Sequence, residues 1–320
     1  MYQKGLELRG YAKDTNIPLE KIYLYQAIRY VDRFSYLNGQ KADLPIEFLF
    51  QVKREDANLP LAQRSDLVWR NWAKGIAQVE STQADIENGT TIDIPYLQKI
   101  HVGFYAEEER DDTTTAFRPG AIKPAYFPTI DWKLPTQAAI DSGAKAAQIV
   151  DDNLKAMGLR PQLANEDDYL NKIIDVRGNI LYPAAPKAVN AHFTNLLKLL
   201  NTLLAQGREN KPMIWQDRLF TPMQLAYFTQ QYFVQIHGFH DGNGRISRYW
   251  QDVVLAVFGL PAGASGDLNY NDMTADPAEY YSRAMKAGFN ELLDVEKCYT
   301  RVYMVPNAKG TIPYDCRLLK

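Results

Sequence analysis

The chain has little from which to build covalent or metal staples. Its 320 residues include two cysteines, Cys298 and Cys316, and four histidines. Two thiols do not make a disulfide framework, so the fold must rest on its own core. A reducing cytoplasm is the compartment they suit, with secretion as an effector the alternative. Charge of one sign is also missing. Lys and Arg total 36 against 38 Asp and Glu, a net charge of −2, which argues against a broad basic surface for nucleic acid or anionic lipid. No apolar run approaches the roughly 20 residues that cross a bilayer, and the opening Met1-Tyr-Gln-Lys-Gly has no apolar leader core. Internal repeats, low-complexity tracts and heptads are absent as well. What remains is a chain with 46% apolar residues, long enough for one domain with an N-terminal extension or for two packed units.

Apolar residues recur at three- and four-residue spacing, which predicts a mainly α fold. Helices are expected near 19–37, 60–87, 94–107, 136–157, 186–205, 221–236, 244–258 and 276–293. The run Leu196, Leu197, Leu199, Leu200, Leu203 and Leu204 is core rather than a cofactor box. Composition makes 111–115 and 262–266 loops.

One stretch concentrates chemistry: His237-Gly-Phe-His-Asp-Gly-Asn-Gly-Arg-Ile-Ser-Arg248. Thr221, Pro222 and Gln224 announce the helix before it, as N-cap, first-turn proline and capping-box partner. Glycines at 238, 242 and 244 end that helix and feed the next, so 241–244 is a tight turn at a helix N-terminus. Unpaired backbone N–H groups and the helix dipole favour an anion there. Arg245 and Arg248, three residues apart, project toward the same end and add two guanidinium forks, which together make a polyphosphate site. Taken singly the residues have plainer readings: a histidine at a helix end, turn glycines, solvated arginines. His237, His240 and Asp241 could also imitate a transition-metal site, although His101 and His192 lack ligand-like spacing to complete one.

The stretch resembles the signature of the Fic (Fic/Doc, Fido) family, His-x-Phe-x-Asp/Glu-Gly-Asn-Gly-Arg-x-x-Arg, at every specified position. A chance match is on the order of one in ten billion per window at average residue usage, so composition does not explain it. The resemblance implies a Fic fold, a helical bundle with a small β-hairpin flap. It also implies transfer of AMP from ATP to a Tyr, Thr or Ser hydroxyl of a target protein. In that scheme His237 is the general base and Asp241 holds Mg²⁺ (or Mn²⁺). Gly242, Asn243 and Gly244 form the anion hole, with Asn243 on the α-phosphate, Arg245 near the β-phosphate and Arg248 on the γ-phosphate. Phe239 is a buried anchor, and His240 sits at a variable position without a role. Self-modification and homo-oligomerisation are further expectations. The alternatives are the reverse reaction, release of AMP from a modified protein, and a non-catalytic nucleotide-binding regulator.

Upstream, Gln83-Ala-Asp-Ile-Glu87-Asn-Gly89 resembles the family's inhibitory motif, Ser/Thr-x-x-x-Glu-Gly/Asn. There the glutamate pairs with the second signature arginine, here Arg248. Gln83 stands where Ser or Thr is usual, and a plain helix stop at Gly89 is the competing reading. Two stretches could be the flap. One is 117–126, turning at Pro119-Gly120. The favoured one is 175–183, with Gly178-Asn179 as a two-residue turn between Val176 and Ile180-Leu181. The division then runs 1–90 for an N-terminal helical region, 91–295 for the Fic core with an insertion near 110–174, and 296–320 for a C-terminal extension. In the helix after the signature, Tyr280-Tyr281 is either an adenine neighbour or core.

Overall fold

The computed structural model describes residues 78–79, 81–103, 116–119, 137–171, 173–174 and 180–260, with positions 280, 282, 284 and 286. The helix expected at 19–37, the loops at 111–115 and 262–266, both cysteines, Tyr281 and residues 296–320 lie outside these.

Among the described residues the chain is mainly helical, with two small antiparallel hairpins. In order come α1 (Ile94–Val102), α2 (Gln137–Ala156), β1 (Ile173–Ile174), β2 (Ile180–Leu181), α3 (Val189–Arg208), β3 (Met213–Trp215), β4 (Arg218–Phe220), α4 (Pro222–Ile236) and α5 (Asn243–Val257). Residues 78–79 and 81–87 are also helical.

α4 is the axis of the core. Thr221 accepts from the Gln224 N–H at 3.2 Å while the Gln224 side chain accepts from the Thr221 N–H at 2.9 Å, the reciprocal capping box its sequence announces. Tyr227, Phe228, Tyr232 and Phe233 are buried, and so are Gln230 and Gln231, so this helix is enclosed on nearly every face. α5 packs along it through Ile246, Trp250, Val253 and Val254. The six leucines of α3 from Leu196 to Leu204 are all buried in the same core. Two expected boundaries shift. A 3₁₀ turn, Pro186–Ala188, precedes α3, which runs on to Arg208. α1 ends at Val102, where the Gly103 N–H closes the last turn onto Ile100 O at 3.0 Å.

The hairpin expected in the favoured flap stretch is present, in a different register. Ile173 pairs with Leu181 and Ile174 with Ile180. The ladder continues downward through Leu170 opposite Ala184, Asn171 N–H to Pro183 O at 2.7 Å and Ala185 N–H to Tyr169 O at 3.1 Å. Every pair keeps one register, whose centre falls at position 177. A two-residue turn at Gly178-Asn179 would centre the ladder between 178 and 179. Residues 175–179, which include the expected Gly178-Asn179 turn, lie outside the described residues. β3 and β4, which the sequence did not announce, pair Met213 with Phe220 and Trp215 with Arg218. Gln216 and Asp217 make their turn, both at positive φ (47° and 60°).

Candidate active site

The site begins where α4 stops. His237 is its C-terminal cap, held in the left-handed region at φ 48°, ψ 49°, with its N–H on Phe233 O at 3.2 Å. That conformation turns the chain off the helix axis. The ring is half-buried, and its Nδ1 lies 3.2 Å from Val234 O. A carbonyl only accepts, so this contact puts the proton on Nδ1 and leaves Nε2 with its lone pair. Burial, and secondarily the nearby Arg118 charge, lower the ring's pKa from 6.5 to about 4, against smaller opposing effects of Val234 O and Asp241. The imidazole is therefore neutral at physiological pH, the form a base requires.

The loop after it is clamped from several sides. A side chain at Gly238 would begin 2.3 Å from the Phe193 ring, so only glycine lets the loop lie this close to α3. Phe239 is fully buried, as an anchor should be. Its ring lies 5.1 Å from that of Phe117, edge-on, and is stacked on the His101 imidazole at 3.7 Å and 10°. Asn243 brackets Phe239 from below: its Oδ1 accepts from the Phe239 N–H at 2.9 Å and its Nδ2 donates to Phe239 O at 2.8 Å. That side chain is 2% exposed and engaged within the loop. Gly242, at φ 75°, is the cap of α5, and the first backbone bond of that helix is Ile246 N–H to Gly242 O at 2.9 Å. The N–H groups of residues 243–245 consequently have no acceptor within the helix.

Asp241 and Arg248 flank this helix start. Asp241 is exposed. A Cβ placed on Gly244 would begin 3.1 Å from a terminal nitrogen of Arg248, so that guanidinium folds back over the first turn. Arg245 occupies the same turn. His240 is exposed, consistent with its variable position.

Glu87 closes a helical stretch that docks on α1 and α5. Tyr249, next to Arg248 in the chain, meets the Thr82 hydroxyl at 2.5 Å and donates to Gln78 O at 3.1 Å. Tyr96 of α1 donates to Asp85 at 2.8 Å, and Arg208 donates to Ile86 O. These contacts set the direction of the stretch. Gln78 lies level with the end of α1, and Ile86 faces the end of α3 that lies 15 residues from Phe193, about 22 Å along a helix. The Gln83 amide donates to the Glu87 carboxylate, one helical turn on, at 2.8 Å. Thr90 N–H to Asp85 O and Gly89 N–H to Ile86 O close the helix, so the stop read at Gly89 is present.

Two side chains without a role in the sequence reading hold the site together. The His101 Nε2–H donates to the Asp241 carbonyl at 2.9 Å from 140 residues away. Arg118 is 5% exposed and donates to the carbonyls of His237, Ala184 and Ile236. Phe117 bridges Phe239, and the Arg118 N–H bonds Gly238 O at 2.8 Å. Residues 117–119 of the other flap candidate thus belong to the wall of the signature loop; 120–126 are outside the described residues. No local pattern could have found either residue, because their partners are remote in the chain. Tyr280 is core, fully buried with its hydroxyl on Gln230.

Among the described residues no three His, Cys, Asp or Glu side chains converge as a metal cluster, and no helix is long and apolar enough to cross a membrane.

Comparison with known proteins bears on the same segment. Residues 162–255 match the model of the Fic/DOC family, a span holding β1, β2, α3, α4 and most of α5. Among solved structures the chain is similar to a Fic domain containing signaling protein from Bacteroides thetaiotaomicron. The identity is 14% and the TM-score 0.49, covering 95% of this chain and 99% of that one. No curated protein matches the sequence.

Proposed function

We propose that this chain is a protein adenylyltransferase, moving AMP from ATP to a Tyr, Thr or Ser hydroxyl of a target protein. One observation carries the reading. A neutral histidine whose Nδ1 faces a carbonyl lies one tight loop away from a helix start over which the Arg248 guanidinium folds. The base and the anion site belong to one rigid unit, braced by Asn243, His101 and Arg118.

The chemistry follows from that placement. The triphosphate lies along the α5 N-terminus, its oxygens on the amides of 243–245 and on the forks of Arg245 and Arg248. With the Asn243 side chain engaged by Phe239, its backbone N–H is the group that faces the α-phosphate. Nε2 of His237 takes the proton of the attacking hydroxyl as the oxygen bonds the α-phosphorus. The bond from that phosphorus to the bridging oxygen breaks, and pyrophosphate leaves. Asp241, exposed at the lip of the loop, fits a hard divalent cation that arrives with phosphate oxygens as its other ligands. Such an ion, Mg²⁺ or Mn²⁺, would neutralise charge on the phosphates. The β1–β2 hairpin is the surface for the target backbone. Ala184 at its base bonds Gln235 O at 3.3 Å, two residues before the base.

Restraint by Glu87 is the finer part of the proposal. Gln83 holds the carboxylate, and the stretch bearing it meets α5 at Tyr249, the residue after Arg248 in the chain. Restraint requires Glu87 to reach Arg248 from the end of the stretch that is turned toward Arg208.

The test is incubation with α-labelled ATP, Mg²⁺ and a lysate, with calorimetry of ATP alongside. Wild type should label protein. His237→Ala should abolish labelling and leave ATP affinity within about twofold. Absence of adenine nucleotide binding with Mg²⁺, even in Glu87→Gly, would overturn the reading.

A further inference from the structure

Arg118 reads three backbone carbonyls from two elements. Its Nε donates to His237 O at 2.5 Å, and one terminal nitrogen donates to Ala184 O and, at 3.4 Å, to Ile236 O. Ile236 and His237 stand at the end of α4, where carbonyls lack helical partners. Ala184 belongs to the base of the hairpin. The Arg118 N–H adds Gly238 O at 2.8 Å, and Phe117 bridges Phe239, so both neighbours of the signature loop's turn are held by the same short segment. His237 is a non-glycine residue at φ 48°, a backbone state that persists when its surroundings enforce it.

We propose that Arg118 is a positioning residue. It fixes His237 in its left-handed conformation and locks the hairpin base to it, so that a hydroxyl lying along the hairpin meets Nε2. The chemistry rests on the adenylyl-transfer reading above; the geometry does not. A planar fork suits this task, because it addresses carbonyls lying in different directions from one centre. A lysine can carry the charge but not the fork. The charge matters too, since Arg118 is the second cause, after burial, of the low His237 pKa.

The experiment compares wild type with Arg118→Gln and Arg118→Lys in the full chain. Single-turnover labelling should fall about 100-fold in the Gln variant, the cost of misplacing a reacting group by about an ångström. The Kd for Mg·ATP should stay within about twofold. The Lys variant should lie between. NMR titration of the His237 ring, without nucleotide, should rise above about 4 in the Gln variant, with burial still holding it below 6.5, and stay near wild type in the Lys variant. That titration is readable whether or not AMP is transferred. A wild type that binds ATP but labels nothing would therefore sink the transfer reading alone. Labelling by the Gln variant within about threefold of wild type, with the ring titration unmoved, would overturn the proposal. So would nucleotide affinity lost in step with transfer in both variants. Should the Gln variant not fold, the Lys variant is read on transfer alone, and labelling within about threefold of wild type there would overturn the proposal.

Discussion

At the scale of single residues, Asn243 is where the sequence pattern and the packing assign different work. The family resemblance puts it against a phosphate, whereas its two side-chain atoms are closed onto the Phe239 backbone at 2.9 and 2.8 Å. Removing them would leave a buried N–H and C=O unsatisfied, a cost of about 1–3 kcal/mol. Asn243→Ala should accordingly lower the urea midpoint in the absence of any nucleotide. An unchanged midpoint would return the side chain to a ligand-binding role. The residues legible from sequence were those whose meaning is local: the capping box, the histidine at a helix end, the glycines of the turn. His101 and Arg118 were illegible because each serves a backbone atom more than a hundred residues away, through a hydrogen bond that any donor of suitable shape could make. Burial explains much of the rest. A histidine stacked on Phe239 and an arginine enclosed by carbonyls look like ordinary polar residues until the fold surrounds them.

At the scale of elements, helices were easier to read than strands. α4 and α5 carry long apolar periodicity between clear stop signals, and their boundaries fall within a residue or two of those expected. The hairpins mislead for opposite reasons. In β1–β2 the Gly178-Asn179 pair reads as a turn centred between 178 and 179 and lies outside the described residues, whereas the described pairs from Tyr169 opposite Ala185 to Ile174 opposite Ile180 centre on position 177. In β3–β4 the turn is a tight two-residue one, yet Gln216 and Asp217 take the positive φ values that glycine or asparagine usually signals. The helical stretch ending at Glu87 is the element with the sharpest functional consequence. If its carboxylate restrains nucleotide binding, Glu87→Gln should raise labelling nearly as much as Glu87→Gly, because charge is what both remove. A rise confined to the glycine variant would instead report loosening of the helix end, where glycine costs about 1 kcal/mol. Labelling unchanged in both would remove Glu87 from the regulation of the site.

At the scale of the whole molecule, the same burial that readies the site sets a limit on its acid tolerance. His192 is 2% exposed, with Nδ1 2.5 Å from the Tyr232 hydroxyl; burial pushes its pKa from 6.5 down to about 3, against weaker opposition from Tyr169 O and Asp151. His237 is lowered to about 4. Both rings are neutral in the folded chain across a range where the unfolded chain binds their protons. Between about pH 6.5 and pH 4 the unfolded state thus holds more protons, so stability increases with pH and is lost on acidification. Each histidine contributes a slope of up to about 1.4 kcal/mol per pH unit once its unfolded form is fully protonated. The urea midpoint should therefore fall measurably between pH 7 and pH 5, above the range where most carboxylates titrate. His192→Asn and His237→Asn should each flatten that fall, and the second is well suited because asparagine tolerates the left-handed backbone at 237. A midpoint constant from pH 7 to pH 5 in wild type would mean that neither ring is held neutral by its surroundings, and the lowered pKa of His237 would fall with it.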